Sequence, residues 1–351
     1  MKVLLVGCGQ MGVSHARGYL GMKDVEIVGI VSRTKASRTQ CQQALGTQFP
    51  EYEDVAQALK ECNPDAVCIS TYPDTHAEFA KMAMEAGAHV FLEKPIATTV
   101  ADAEEVVAVA ERTGKKLVVG YILRHHPSWQ QFIKAAQTLG KPLVMRMNLN
   151  QQSSGDQWLV HRNLMRSISP IVDCGVHYVD VMCQMTRSVP VSVSAIGVRL
   201  TDEVQEGMYN YGQLQVRFQD GSVGWYEAGW GPMMSEVAFF VKDVVGPEGS
   251  VSLVAGKQGN SNVIEDHTKT GAIQRHFSKL NAQGEFAQQD EITDTADEPD
   301  HDALCAREQE YFVRAIRENL DLSDHWTDAV NSLRIVLAAD ESVRTGQTVK
   351  L

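Results

Sequence analysis

The first third of the chain alternates between two patterns, and this alternation restricts the available folds more than any other feature. Short, continuous apolar runs occur at 3–6 (VLLV), 27–31 (IVGIV), 66–70 (AVCIS), 89–92 (HVFL) and 117–121 (LVVGY). Runs of this length, bounded by polar or turn residues, suit strands buried on both faces of a parallel sheet. The stretches between them, 12–22, 36–45, 53–60, 75–86 and 99–112, read as helices. Strand then helix, repeated to about residue 122, predicts an α/β doubly wound sheet.

The first strand runs directly into Gly7-Cys8-Gly9-Gln10-Met11-Gly12. In a GxGxxG loop the first glycine permits the tight turn, the second lets the backbone approach a pyrophosphate, and the third lets the helix pack closely on the strand. The helix start then offers unpaired N–H groups and partial positive charge to phosphates. A glycine turn without a ligand would need neither flanking element. With both in place, 1–122 is expected to be a Rossmann-type dinucleotide-binding domain, with Gly7, Gly9, Gln10, Met11 and Gly12 as its cradle.

The choice of dinucleotide turns on the end of the second strand. A carboxylate there normally holds the ribose hydroxyls of NAD. Here Ile30-Val31 is followed by Ser32-Arg33-Thr34-Lys35. Ser32, Arg33 and Lys35 suit a 2′-phosphate, which favours NADP over NAD. Alternatively the two cations are merely solvated and Ser32 caps the next helix, which leaves NAD use open.

Beyond residue 122 the pattern changes. Pro127 opens a helix to about Leu139, and longer strands are expected at 143–150, 191–200, 208–219, 222–230 and 235–244, with a turn at Gln219-Asp220-Gly221. A helical insertion, 157–186, interrupts them. Successive strands without helices between them predict a second α/β domain, 123–351, on a large, mostly antiparallel open sheet. The acidic stretch 284–302 reads as a solvated loop. Helices at 302–319 and 325–345 close the chain. Val330, Leu333 and Leu337 share a face of the last one, which is expected to pack back on the first domain.

A length of 351 residues suits two domains. The net charge of −12 opposes nucleic acid and anionic membrane as partners. Seven cysteines without a CxxC pair read as reduced thiols, with no metal site expected. The opening MKVLLVGCG is too short and glycine-broken for a signal peptide or a membrane span, so a cytoplasmic protein is expected.

Residues 70–95 read STYPDTHAEFAKMAMEAGAHVFLEKP. Ser70-Thr71 with Pro73, Asp74-Thr75-His76, Gly87, His89-Val90 and Glu93-Lys94-Pro95 together resemble the nucleotide-domain signature of the glucose–fructose oxidoreductase / inositol dehydrogenase / MocA family. The glycine loop followed by His15, and the ending Ser342-Val343 … Gly346 … Val349, are similar too. The resemblance implies an NAD(P)-dependent oxidoreductase acting on a secondary alcohol or ketone of a sugar, inositol or related polyol. It implies that Thr71, His76, Glu93 and Lys94 border the cofactor, that Lys94-Pro95 is a candidate cis bond, and that the Lys94 ammonium meets the reacting hydroxyl. Taken alone, Lys94 is an ordinary strand-end lysine. Glu93 either orients the nicotinamide region or partners the loop itself.

In the second domain, Asp173 and His177 are four residues apart, which on a helix places them on one face. An imidazole suits proton transfer near neutral pH, and a carboxylate beside it can orient the ring. A pair satisfied within the core is the bland alternative. Family members carry Asp-x-x-x-His here, often after a glycine-rich run. This chain has Ser169-Pro170 in its place. With the other motifs, Lys94, Asp173 and His177 form the candidate catalytic set. His177 is the leading acid/base and Lys94 polarises the hydroxyl, although similar enzymes sometimes assign the base to the lysine. Cys174 reads as a small packing residue.

Tyr121, Arg124 and His125 follow the last strand of the first domain and either line the substrate pocket or fix the domain junction. Trp158 and His161, with Arg162 and Asn163, offer a polyol an aromatic wall and polar groups, or they simply fold the insertion. Two other activities stay open: a cofactor-retaining glycosidase that oxidises transiently and eliminates, and a non-catalytic nucleotide or sugar sensor. A proton-transfer set is superfluous in a sensor. A homodimer or homotetramer through the second sheet is expected, as in similar proteins.

Overall fold

In the computed structural model, residues 1–235, 240–255, 269–295 and 297–351 are described. They divide into two compact units: Met1–His125 with Pro299–Val330, and His126–Glu298 with Asn331–Leu351.

The first unit is built on six strands: β1 (Lys2–Val6), β2 (Glu26–Val31), β3 (Glu51–Tyr52), β4 (Ala66–Ile69), β5 (His89–Glu93) and β6 (Leu117–Gly120). All neighbours are parallel, in the order β3-β2-β1-β4-β5-β6. Helices α1 (Gln10–Leu20), α2 (Lys35–Leu45), α3 (Val55–Cys62), α4 (His76–Glu85) and α5 (Val100–Thr113) connect them. Strand order reverses between β1 and β4, which opens a crevice at their carboxyl ends. The central strands are apolar throughout because both faces are covered: all of β4 and β6 is buried.

The second unit opens with α6 (Pro127–Gln137) and β7 (Val144–Gln152). The insertion follows as α7 (Gly155–Leu164), α8 (Pro170–Asp173) and α9 (Gly175–Thr186). Its remaining strands are β8 (Pro190–Val198), β9 (Tyr211–Phe218), β10 (Val223–Gly231), β11 (Lys242–Gly246), β12 (Gly249–Val254), β13 (Ala272–Phe277) and β14 (Glu291–Asp294). The chain closes with α10 (His301–Arg317), which belongs to the first unit, α11 (Ser323–Thr345), which crosses the unit boundary, and β15 (Val349–Lys350).

The nine-stranded sheet has the order β14-β13-β12-β11-β7-β10-β9-β8-β15. Among the described residues, only β7 and β10 pair in parallel; the other pairs are antiparallel. Of the strand expected at 235–244, residues 236–239 lie outside the described residues, and β11 starts at Lys242. The acidic stretch is not wholly a loop. It contains β14, exposed at every position and held through the β13 backbone. Among the described residues, no helix is long and apolar enough to cross a membrane.

The core of the second unit holds a buried lysine. Lys242 is 2% exposed, and its amine donates to the Asn148 carbonyl at 2.6 Å, with the Phe240 ring 4.2 Å away. Burial pushes its pKa down from 10.5 to about 7. Between these two values the unfolded chain binds more protons than the folded one, so stability rises with pH across that window and levels off below it. Replacing Lys242 by Met removes this slope and stabilises the fold at pH 7 by about 1–4 kcal/mol. Urea unfolding of both proteins at several pH values checks this, and an unchanged slope contradicts it.

Candidate active site

The glycine cradle lies at the crevice between β1 and β4. Gly7 has φ +108°, and a Cβ there would stand 2.3 Å from the Ser70 carbonyl oxygen. A Cβ on Gly12 would stand 2.1 Å from the Gly7 carbonyl oxygen. These contacts press the loop against the ends of both strands. Gly9 is different: it is exposed, and a Cβ there meets nothing within 4 Å. Gly9 is also the N-cap of α1, with no side chain capping the helix and no acidic residue in its first turn. The first-turn N–H groups, including those of Gln10 and Met11, therefore face open space beside the helix's positive end. An anion such as a pyrophosphate fits this arrangement.

At the end of β2 the helix cap is Thr34, not Ser32: the Thr34 hydroxyl accepts from the Ser37 N–H at 3.2 Å. Ser32 is instead held through its carbonyl, which accepts from the Arg38 guanidinium at 2.5 Å. Arg38 is buried and also pairs with Glu51 at 3.0 Å and Glu53 at 2.9 Å. These two carboxylates neutralise it. Arg33 and Lys35 are exposed.

The Glu93-Lys94-Pro95 segment leaves β5 at the carboxyl edge of the sheet, and its Lys94–Pro95 bond is cis. Lys94 is half-buried. Glu93 is the loop's own partner: Oε1 pairs with His15 Nε2 at 2.7 Å, and Oε2 accepts from the Lys94 N–H at 3.1 Å. His76 is fully buried, with Nδ1 2.7 Å from the Pro95 carbonyl and Nε2 3.1 Å from the Thr71 carbonyl. Burial disfavours the charged form of this ring, so its single N–H donates to one of the two carbonyls, and the ring lies between the β4 and β5 loops. Thr71 hydrogen-bonds through its hydroxyl to Thr75 at 2.7 Å.

Tyr121, Arg124 and His125 are tied to the C-terminal part of the same unit. Tyr121 is fully buried, edge-on to His325. Arg124 pairs with Asp328 at 2.8 Å, and His125 packs on the Tyr311 ring. Burial, Arg124 and Arg314 push His125 down to about 3, so its ring is neutral near neutral pH. All three residues fasten the end of the parallel sheet, and Arg124 and His125 stay half-buried.

In the second unit, Asp173 ends α8 and His177 lies in the first turn of α9. The helix expected across them is broken at Cys174, whose backbone stays right-handed helical (φ −89°, ψ −37°) and preserves the four-residue relation. Both side chains are half-buried. Ser169, at the departure from the glycine-rich family pattern, caps α8 by accepting from the Val172 N–H at 3.1 Å and donates to Asp340 at 2.7 Å. The half-buried Cys174 thiol donates to Asp173 at 3.5 Å and to Gln151 at 3.6 Å.

Trp158 is buried, with its indole N–H 3.4 Å from Glu203, and Arg162 pairs with the same carboxylate. His161 is buried and stacked on Trp230 at 4.4 Å, with Nδ1 2.9 Å from the Ser153 hydroxyl. Asn163 is exposed. Trp158 and His161 thus pack the insertion. Among the described residues, His15, Cys305 and Glu308 bring ligand-type atoms within 4.8 Å of one another. Both ring nitrogens of His15 are already hydrogen-bonded, to Glu93 and to Gln309.

Comparison with known proteins identifies the family. Residues 1–121 match the family model described as an oxidoreductase family with an NAD-binding Rossmann fold, and residues 131–252 match that of the GFO/IDH/MocA C-terminal domain. The 4-carboxy-2-hydroxymuconate-6-semialdehyde dehydrogenase of Sphingobium sp. (strain NBRC 103272 / SYK-6) is 32% identical over 46% of this chain, a match spanning only about half (54%) of that protein. The scyllo-inositol 2-dehydrogenase (NAD(+)) of Bacillus subtilis (strain 168) is 24% identical over 100% of this chain and 96% of its own. Among solved structures, the UDP-N-acetylglucosamine 3-dehydrogenase GnnA of Acidithiobacillus ferrooxidans superposes with a TM-score of 0.77 over 98% of both chains at 20% identity.

Proposed function

Because the chain belongs to the GFO/IDH/MocA family of oxidoreductases with an NAD-binding Rossmann fold, we propose that it moves a hydride between a nicotinamide dinucleotide and a secondary alcohol or ketone of a sugar, inositol or related polyol. The observation that carries this reading is the Glu93-Lys94-Pro95 loop. It presents a half-buried lysine at the carboxyl edge of the sheet that bears the glycine cradle, with its backbone gripped by Glu93 on one side and His76 on the other.

When bound, the dinucleotide supplies the hydride acceptor or donor. The protein's residues handle the proton. Lys94 hydrogen-bonds the substrate oxygen and eases its deprotonation, His177 accepts the proton, and Asp173 orients and stabilises the imidazole. Gly9 and the first turn of α1 hold the pyrophosphate. The exposed Arg33 and Lys35 favour NADP over NAD. Sugars, inositols and anhydrosugars tested with both dinucleotides test the reading through nicotinamide absorbance. Net accumulation of reduced dinucleotide with at least one polyol supports a dehydrogenase, and tighter binding of NADP supports the preference. Cleavage of a glycoside without net reduction would replace the reading with the glycosidase, and tighter binding of NAD would reverse the preference.

The same proposal includes self-association. One face of the nine-stranded sheet is covered by α6 and α9. The other carries a groove of about 810 Å³ lined by Val144, Arg146, Gln215, Trp225 and Val241. Trp225→Arg puts a charge into this groove and is expected to lower the oligomer to a monomer in sedimentation velocity. An unchanged sedimentation coefficient would place the contact elsewhere.

A further inference from the structure

A directional chain of buried polar groups reaches Lys94 from α10. The Tyr19 hydroxyl donates to Gln309 Oε1. With its oxygen occupied, Gln309 turns its amide N–H towards His15 Nδ1, 2.9 Å away. That nitrogen then acts as the acceptor, so the neutral ring carries its proton on Nε2 and donates it to Glu93 Oε1 at 2.7 Å. The other Glu93 oxygen accepts from the Lys94 N–H at 3.1 Å. Tyr19, Gln309 and His15 are fully buried and Glu93 is 7% exposed, so water cannot substitute for a lost link. The edge of the His15 ring is set by Phe91, with centroids 4.8 Å apart.

We propose that Gln309 is a positioning residue for Lys94, acting by locking His15 in the Nε2–H tautomer that braces Glu93 beneath the Lys94 peptide. The inference rests on the reading of Lys94 as the group that meets the substrate hydroxyl. Gln309 touches neither loop directly; its effect runs through His15. Glu308 is buried beside His15, and burial together with Glu93 holds its carboxyl well above the usual range. Burial likewise keeps the Cys305 and Cys68 thiols protonated. A carboxylate in place of the Gln309 amide would invert the chain. Nδ1 would then have to donate, and His15 would become an imidazolium between two carboxylates.

The test compares the full-length wild type with Gln309→Met, which removes both links, and Gln309→Glu, which inverts one. Nitrogen-15 NMR of histidine-labelled protein reads the His15 tautomer, its signals assigned by their loss in His15→Asn. Competitive acetylation with mass spectrometry reads Lys94 reactivity against exposed Lys23 as the internal control. The wild type is expected to hold His15 in the Nε2–H form, and Gln309→Glu to convert it to imidazolium. In both variants Lys94 labelling changes by about threefold, the worth of one buried hydrogen bond, while Lys23 stays constant. With a turned-over substrate, kcat falls about tenfold and the acid limb of its pH profile shifts in Gln309→Glu, with dinucleotide Kd unchanged. An Nδ1–H wild type overturns the proposal. So does unchanged Lys94 labelling in both variants, even if melting temperature drops, because that outcome describes a merely structural glutamine. Absence of wild-type turnover across the polyol panel would overturn the functional reading instead, while the tautomer and labelling results still decide the role of Gln309.

Discussion

Lys94→Ala and His177→Ala each lower turnover by about 10²–10⁴-fold, the range for loss of a group that assists proton transfer, while dinucleotide affinity stays unchanged. The dinucleotide's phosphates are expected at Gly9 and the first turn of α1, which neither side chain builds. Lys94 leaves β5 on a loop whose backbone is fixed by Glu93 and His76, so truncating the exposed part of its side chain removes an ammonium without unseating the loop. His177 occupies the first turn of α9, half-buried, and the helix behind it is anchored by residues that the substitution leaves intact. Steady-state kinetics on an active polyol, with dinucleotide binding followed by fluorescence, measures both quantities. Near-normal turnover in either variant would remove that residue from the catalytic set. Equal losses in turnover and dinucleotide affinity would make it part of the cofactor site instead.

Gly7→Ala is expected to lower stability by about 2–4 kcal/mol and to abolish dinucleotide binding. The new Cβ would lie 2.3 Å from the Ser70 carbonyl oxygen and 2.6 Å from its carbon, both backbone atoms, so no rotamer change relieves the clash. The residue would also have to hold φ +108°, which L side chains rarely adopt. Relief requires the ends of β1 and β4 to part, and the cradle lies between those ends. Gly46→Ala is the control. Its φ is +66°, but a Cβ there meets nothing within 4 Å, so it loses only about 1 kcal/mol and binds dinucleotide normally. Urea unfolding and fluorescence titration of both variants distinguish a local clash from a general glycine effect. Similar behaviour of the two would contradict the account of the cradle.

Local pattern announced most of the parallel sheet, because a strand buried on both faces is an unbroken apolar run, as in Val3–Val6 and Ala66–Ile69. It missed β3, whose two residues, Glu51 and Tyr52, make no such run. It missed β14 for the opposite reason: a strand exposed at every position leaves no alternation of polar and apolar residues. The alternative of Ser32 as helix cap lies two residues before the actual cap, Thr34, since both are good caps by type and only the path of the backbone decides between them. Arg38 went unremarked because its partners Glu51 and Glu53 arrive from the next strand.

The motif residues Gly7, Gly9, Gly12, Glu93 and Lys94 were recognisable because their spacing is local. What holds them in place was not. His15 reaches Glu93 across 78 positions and Gln309 reaches His15 across 294. No periodicity encodes such pairs. Similarly, nothing near Ser169 signals that Asp340, on the last helix, accepts its hydroxyl. Histidine type alone was also a poor guide: His76, His125 and His161 are all engaged in packing or in clamping backbone.

The central claim is that this chain moves a hydride between a polyol carbon and a nicotinamide ring. Its most direct test is isotopic. A polyol active in the substrate screen, carrying deuterium at each carbinol carbon, is incubated with oxidised dinucleotide and the enzyme, and the recovered dinucleotide is analysed by mass spectrometry and NMR. The account predicts deuterium on the nicotinamide C4 of the wild-type product, with the same transfer slowed about 10²–10⁴-fold in Lys94→Ala. Reduced dinucleotide free of deuterium, or substrate consumed with no label reaching the ring, would contradict it.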